Sequence, residues 1–282
     1  MKNSPILIIG KNGKTGARVN HRLQALGYMT RAVSRSTKPA FNWESPEAWQ
    51  TVMQDVRSAY VTYQPDLAVP QAEAAIKEFL QIAHKCGLEH IVLLSGRGEP
   101  GAQRAEQALI KSGINWNVVR CSWFNQNFSE NFMVEGILSG ELVLPATNTS
   151  EPFVDVDDIA EVVVATLTGS AQHNKLYELT GPQALTFEQC MKEISEALGR
   201  QVDYVPVTVD AYIDELREQG YPEDLQWLIR ELFTVVFDGR NSQVTHGVEE
   251  ALERPATDFR TYVRKAITSG VWDLATKKEV AR

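Results

Sequence analysis

The segment Gly10-Lys11-Asn12-Gly13-Lys14-Thr15-Gly16 has the residue types and spacing to hold a diphosphate. Gly10 permits a tight turn, Gly13 lets a pyrophosphate approach the backbone, and Gly16 lets a following helix pack close to a sheet. The start of such a helix presents N–H groups to an anion. Asn12, Lys14 and Thr15 place polar side chains among them, and Lys11 adds charge. A P-loop does not fit, because the upstream glycine of the GxxxxGK[ST] pattern is missing. Further on, Arg31-Ala32-Val33-Ser34-Arg35-Ser36 contains no carboxylate. An NAD site carries one there for the ribose hydroxyls. Guanidiniums and hydroxyls, with Ser34 and Arg35 foremost, suit charge-assisted bonds to a 2′-phosphate instead. The expected cofactor is NADP, in use as NADPH.

These residues need a βαβ frame to position them. Residues 6–9 form a short apolar run that ends at Gly10, and Val19, Leu23 and Leu26 continue with helical spacing. A second strand is expected over 29–33. Short apolar strands at 58–62, 91–94 and 116–119 alternate with helices at 69–85 and 101–111. Strands of this kind belong to a parallel sheet buried on both faces. Residues 41–43 read as a short strand or an extended segment, with a helix from 45 or 46 to 52. Beyond residue 150, a helix at 157–167 and a strand at 176–179 return to the sheet. A helix at 187–198 has Thr186 as its cap, and a strand follows at 202–205. The remainder is mainly helical, at 212–218, 224–237 and 258–268. The expected fold class is α/β: a Rossmann-like doubly wound parallel sheet with a smaller, mainly helical C-terminal substrate lobe. The NADP-binding domain spans 1–150, with 151–180 returning to it, and the substrate lobe spans 181–282.

The composition agrees with a globular enzyme. The 282 residues are 43% hydrophobic and 23% charged, with a formal net charge of −8. An acidic chain lacks the basic footprint of a nucleic-acid binder. No apolar run approaches the length of a membrane span. Cys86, Cys121 and Cys190 are too scattered for a CxxC motif, and a sparse, odd count suits a reducing compartment. The expectation is a cytoplasmic monomer or homodimer acting on a small molecule, with no nucleic acid, membrane or metal involved.

Several stretches resemble the NmrA-like branch of the atypical short-chain dehydrogenases/reductases. They are GKNGKTG at 10–16, SRS at 34–36, FNW at 41–43, HIVLLSG at 90–96 and SGINWNVVRCSWFNQNFSE at 112–130, then PFVDVDDIAEV at 152–162, YELTGPQALTFEQ at 177–189 and LGR at 198–200. Within that branch the chain is most similar to the agroclavine/festuclavine dehydrogenase group of ergot-alkaloid reductases and their bacterial relatives. The resemblance implies NADPH-dependent reduction of an iminium carbon. Other members of the branch resemble quinone reductases, and some are nicotinamide-sensing regulators. Ordinary short-chain dehydrogenases carry Tyr-x-x-x-Lys in the helix after a serine-bearing strand. Here that window, residues 95–113, keeps Ser95, a candidate cofactor-binding residue, but has no tyrosine. The family pattern of His or Gln followed three residues on by Glu falls on Gln103 and Glu106. Glu106 is therefore a candidate proton donor, with a helix-surface or supporting carboxylate as the plainer reading.

A neutral carbonyl develops alkoxide charge during reduction and needs a donor. An iminium carbon is already electron-deficient, and a quinone needs only modest polarisation. The absent dyad thus favours imine, iminium or quinone-like acceptors reduced by direct hydride transfer. A non-catalytic NADP-sensing interaction protein and an NADPH-dependent carbonyl reductase are the alternatives. The loop after the fifth strand lies where a ligand crevice is expected. Trp123, Phe124, Asn127 and Phe153 are its candidate pocket residues, although Trp123 also suits a core. Tyr63, after the third major strand, is a remote candidate donor. Asp155, Asp157 and Asp158 read as braces or caps for the helix they precede.

Overall fold

A computed structural model describes residues 4–145 and 148–273. The chain divides into two compact units. The first comprises the chain up to Cys121 together with Val156–Leu179 and His246–Pro255. The second comprises Ser122–Asp155, Thr180–Thr245 and the chain from Ala256 onward. The expected boundary at 150 differs from this division: 122–155 belongs to the second unit, and 246–255 returns to the first.

In the first unit, β1 (Ile6–Ile9), α1 (Lys14–Ala25), β2 (Thr30–Val33), α2 (Trp49–Met53), β3 (Ser58–Val61), α3 (Ala72–Lys85), β4 (His90–Gly96), α4 (Pro100–Ile110) and β5 (Asn115–Cys121) follow in order. In the second, α5 (Met133–Ser139) leads into β6 (Glu141–Leu144). The chain then re-enters the first unit with α6 (Val156–Thr168) and β7 (Lys175–Leu179). The sheet of the first unit has the order β2-β1-β3-β4-β5-β7, and every pairing is parallel. All four residues of β1 are buried, as a strand covered on both faces requires. Trp49, Val52, Phe79, Ala102, Ala105 and Leu109 pack with Leu7, Ile9, Ile91 and Leu93 in one core cluster.

Residues 41–43, expected to be extended, form no strand. Phe41 and Trp43 join Trp49 and Phe79 in an aromatic cluster with ring centroids 5.0–6.3 Å apart. Burying those rings outweighs any pairing that a three-residue edge could make.

The second unit is mostly helical. It continues with α7 (Phe187–Leu198), β8 (Asp203–Pro206), α8 (Val209–Glu218) and α9 (Glu223–Glu231). A π-turn at Leu232–Val236 extends α9, so the helix expected over 224–237 changes its winding near its end. The short helix α10 (Gly247–Leu252) belongs to the first unit, and α11 (Phe259–Thr268) belongs to the second. Strands β6 and β8 pair in parallel. Thr186 caps α7 in a reciprocal capping box with Gln189. Phe128, Phe153, Phe187, Phe233, Phe237, Phe259, Tyr262 and Trp272 fill the core of this unit.

Candidate functional site

The glycine turn stands at the carboxyl end of β1. Gly10 has φ +82°, in the left-handed region that favours glycine. Its N–H and that of Lys11 both donate to the Val33 carbonyl, at 3.2 and 3.1 Å, which ties the turn to the end of β2. A Cβ on Gly10 would lie 2.3 Å from Thr62 Oγ1, and one on Gly16 would lie 2.2 Å from the Gly10 carbonyl oxygen. The fold itself therefore demands glycine at both positions.

Gly13 is different. A Cβ there would meet only the Gly10 carbonyl oxygen, at 3.2 Å. Gly13 is the N-cap of α1 with an extended backbone, and no side chain caps the helix. The first turn carries no acidic residue and begins with Lys14, against the usual preference of a helix N-terminus for negative charge. A flank bounded by one backbone oxygen, an uncapped helix start and a lysine together fit a bound diphosphate. Thr15 is buried at the base of this turn.

Asn12 and Ser34 meet across the turn, with Asn12 Nδ2 donating to Ser34 Oγ at 3.3 Å. The Ser36 N–H also points to Ser34 Oγ, at 3.3 Å. Arg35 is exposed. Arg31 is committed elsewhere, because its guanidinium donates to the carbonyls of Val52 and Gln54. Arg35 is thus the guanidinium of this segment left to meet a 2′-phosphate, beside the Ser34 and Ser36 hydroxyls.

Ser95 and Glu106 lie together. The penultimate position of β4 places Ser95 in register with Arg120 of β5, which is in register with Glu178 of β7. Glu106, on α4, is fully buried. Ser95 Oγ donates to Glu106 Oε1 at 2.5 Å, and Arg120 Nε donates to the same oxygen at 2.9 Å. Arg120 Nη2 pairs with Glu106 Oε2. Arg120 Nη1 then reaches Glu178 Oε2 at 3.2 Å, and Arg97 Nε reaches Glu178 Oε1 at 2.8 Å. The pairing with Glu106 and Glu178 holds the Arg120 guanidinium above its ordinary pKa, against its burial. Both Glu106 oxygens are engaged by Arg120 and Ser95, so the side chain is built as an acceptor and a brace. Arg97, Arg120 and Glu178 escaped the sequence reading, because only strand register shows that Arg120 and Glu178 share a row with Ser95, and Arg97, just past β4, joins it through its side chain.

Tyr63 packs against Trp43, with ring centroids 4.7 Å apart. Burial, with the Glu44 carboxylate second, raises its phenol above the ordinary value, which makes it a weaker acid. Beneath the turn, burial likewise drives the Tyr60 phenol upward.

In the second unit, the loop after β5 separates the residues expected to line a pocket. Trp123, Phe124 and Asn127 are half-buried. The Trp123 ring meets Phe233 and Phe237 edge-on at 5.2 and 5.3 Å. Phe153 is 2% exposed and is enclosed by Phe128 and Phe187 at 5.3 and 5.4 Å, so its ring is core instead of pocket wall. Gln126 Nε2 donates to the buried Asp155 carboxylate at 2.7 Å. In the first unit, Asp157 pairs with Arg22 and Asp158 with Arg254, each at 2.8 Å, bracing the start of α6. Ser122 Oγ and both side-chain polar atoms of Asn125 are buried and make no hydrogen bond among the described residues. Sequence reasoning passed over both, since nothing local distinguishes an orphaned amide from a satisfied one. Among the described residues, no cluster of His, Cys, Asp and Glu could hold a metal ion. No described helix is long and apolar enough to cross a membrane.

No family model matches the chain. An uncharacterized oxidoreductase of Bacillus subtilis, YesF, is 28% identical over 261 residues, covering 88% of this chain and 90% of that protein. Agroclavine dehydrogenase of Claviceps fusiformis is 28% identical over 282 residues, covering 92% of this chain and 96% of that one. Among solved structures, the NADPH-dependent quinone oxidoreductase QOR2 of Escherichia coli, complexed with NADPH, has a TM-score of 0.79 at 18% identity, covering 93% of this chain and 99% of that chain. NmrA, a negative transcriptional regulator solved with NADP, has a TM-score of 0.70 at 17% identity, covering 96% and 98%. At such identities the structural likeness shows the fold alone. The sequence matches extend further: the chain is related, at low identity over most of its length, to Rossmann-fold oxidoreductases that include the ergot-alkaloid dehydrogenases.

Proposed function

We propose that the protein is an NADPH-dependent oxidoreductase that reduces an imine, iminium or quinone-like small molecule by direct hydride transfer. Its relatives named as dehydrogenases and oxidoreductases support the reaction class. The observation that carries the cofactor is the uncapped start of α1 at Gly13, whose flank meets a single backbone oxygen. There the backbone N–H groups and Lys14 hold the diphosphate. Asn12 keeps Ser34 in place, and Ser34 and Arg35 take the 2′-phosphate. Bound NADPH supplies a hydride at its nicotinamide ring. The chain supplies proximity and orientation, which alone remove much of a bimolecular barrier.

The acceptor class follows from what α4 lacks. It carries no phenol, and its one carboxylate, Glu106, is held by Arg120 and Ser95. Tyr63 is a weakened acid packed at a tilt against Trp43. An acceptor that needs no strong protein acid fits this set better than a neutral ketone. Trp123 and Phe124, each half-buried, offer aromatic surface for a planar acceptor, with Asn127 beside them in sequence.

The test is oxidation of NADPH with a preformed cyclic iminium, a quinone and a ketone offered side by side, with C4-deuterated NADPH as tracer. The expected result is turnover of the first two with deuterium in the product. Product lacking the label, under conditions that exclude exchange, refutes direct transfer. Turnover of the ketone alone refutes the acceptor class.

A further inference from the structure

Ser95 stands one residue before the end of β4, two strands from β1 and its glycine turn in the order β1-β3-β4. Two inter-strand spacings amount to about 10 Å along the carboxyl edge of the sheet. A dinucleotide whose diphosphate sits at the end of β1 runs along that edge, because ligands of open parallel sheets bind outside the carboxyl ends of the strands. Ser95 is thus placed for the nicotinamide end of the ligand.

The direction of its hydrogen bond decides what it can recognise. Glu106 accepts from Arg120 at both oxygens and is fully buried. Ser95 Oγ lies 2.5 Å from Glu106 Oε1. A carboxylate locked on a guanidinium has no proton to give, so the Ser95 hydroxyl spends its single hydrogen on Glu106. What remains on Oγ is lone pairs. The rest of the row holds this arrangement: Arg120 is tied to Glu178, and Glu178 to Arg97, with Ser95, Arg120 and Glu178 in cross-strand register.

We propose that Ser95 is a hydrogen-bond acceptor for the N–H of the nicotinamide carboxamide, and that Glu106, backed by Arg120, is the positioning residue that fixes this polarity. The inference rests on the dinucleotide reading given above. A serine in this place that donated its proton would serve a developing alkoxide. This one faces the other way and selects a ligand that donates. The carboxamide N–H is the donor that the nicotinamide ring itself carries.

The test compares NADP with its 3-acetylpyridine analogue, in which a methyl group replaces the carboxamide nitrogen and the carbonyl is kept. Calorimetry on the full chain reads binding alone, without turnover. The wild type is expected to bind NADP about five- to tenfold more tightly than the analogue, the value of one neutral hydrogen bond. Ser95→Ala keeps the Glu106–Arg120 pair, and it should bind the two ligands equally, at the wild-type affinity for the analogue. Adenosine 2′,5′-bisphosphate, which lacks the nicotinamide, should bind both proteins alike and report an intact fold. Equal weakening of both dinucleotides by Ser95→Ala means that the hydroxyl donates to the shared carbonyl, and overturns the proposal. Unchanged discrimination in Ser95→Ala means that the hydroxyl does not touch the carboxamide, and overturns it as well. Failure of the wild type to bind NADP removes the dinucleotide reading itself, and the proposal with it.

Discussion

His90 begins β4, at the opposite end of the strand from Ser95, and is 6% exposed. Its Nε2 lies 2.9 Å from Asn117 Oδ1. Asn117 Nδ2 donates to the carbonyls of Gln172 and Lys175, at 2.9 and 3.0 Å, which fixes the amide with its oxygen toward the imidazole. His90 is therefore the neutral tautomer with hydrogen on Nε2. On its other side the ring stacks on His173 at 4.2 Å, a second imidazole that disfavours a charge. Burial, the largest cause, pushes His90 from 6.5 down to about 4. Its folded pKa lies below its unfolded value, so its contribution is complete above the unfolded pKa and is lost as pH falls through the window between about 6.5 and 4. Between pH 7 and pH 5 the loss comes to about 2 kcal/mol from this group alone. Urea unfolding followed by circular dichroism at those two pH values measures it. His90→Gln keeps a donor for Asn117 without a titrating ring, so its stability should fall about 2 kcal/mol less than that of the wild type over the same interval. Equal pH dependence in the two proteins would refute the buried neutral imidazole.

The glycine turn separates fold from binding. Gly16→Ala drives a Cβ into the Gly10 backbone and should cost about 1–3 kcal/mol in a thermal melt, whereas Gly13→Ala should melt near the wild type and bind NADPH more weakly. Arg35→Ala should weaken NADPH by roughly 10- to 100-fold, one charge-assisted contact, and leave NADH nearly unchanged in a calorimetric titration. Phe153→Ala should cost about 3–5 kcal/mol, as expected for an enclosed core ring. Trp123→Ala, from a half-buried site, should cost less stability and raise the KM for the acceptor more than that for NADPH.

The local chemistry of the chain determined its first unit to a large extent. Apolar runs too short for helices and bounded by turns became β1, β3, β4 and β5 within a residue or two of their expected places. The three glycines announced a turn, and Thr186 announced the start of α7, because caps and positive-φ positions are properties of a few adjacent residues. Partners remote in the chain were decided by tertiary structure. Glu106 reads as a proton donor or as a helix-surface or supporting carboxylate until β5 brings Arg120 against it, and Ser95 has no fixed hydrogen-bond direction until it donates to Glu106. Phe153 and Trp123 look alike in sequence, yet one is enclosed by rings from three other segments and the other is half-buried. Residues 246–255 return to the first unit because Gly247 lets α10 press on β7, where a Cβ would lie 2.2 Å from the Glu178 carbonyl oxygen. Periodicity and capping are written in neighbours along the chain, whereas burial and the direction of a hydrogen bond depend on which distant groups the fold brings within 3 Å.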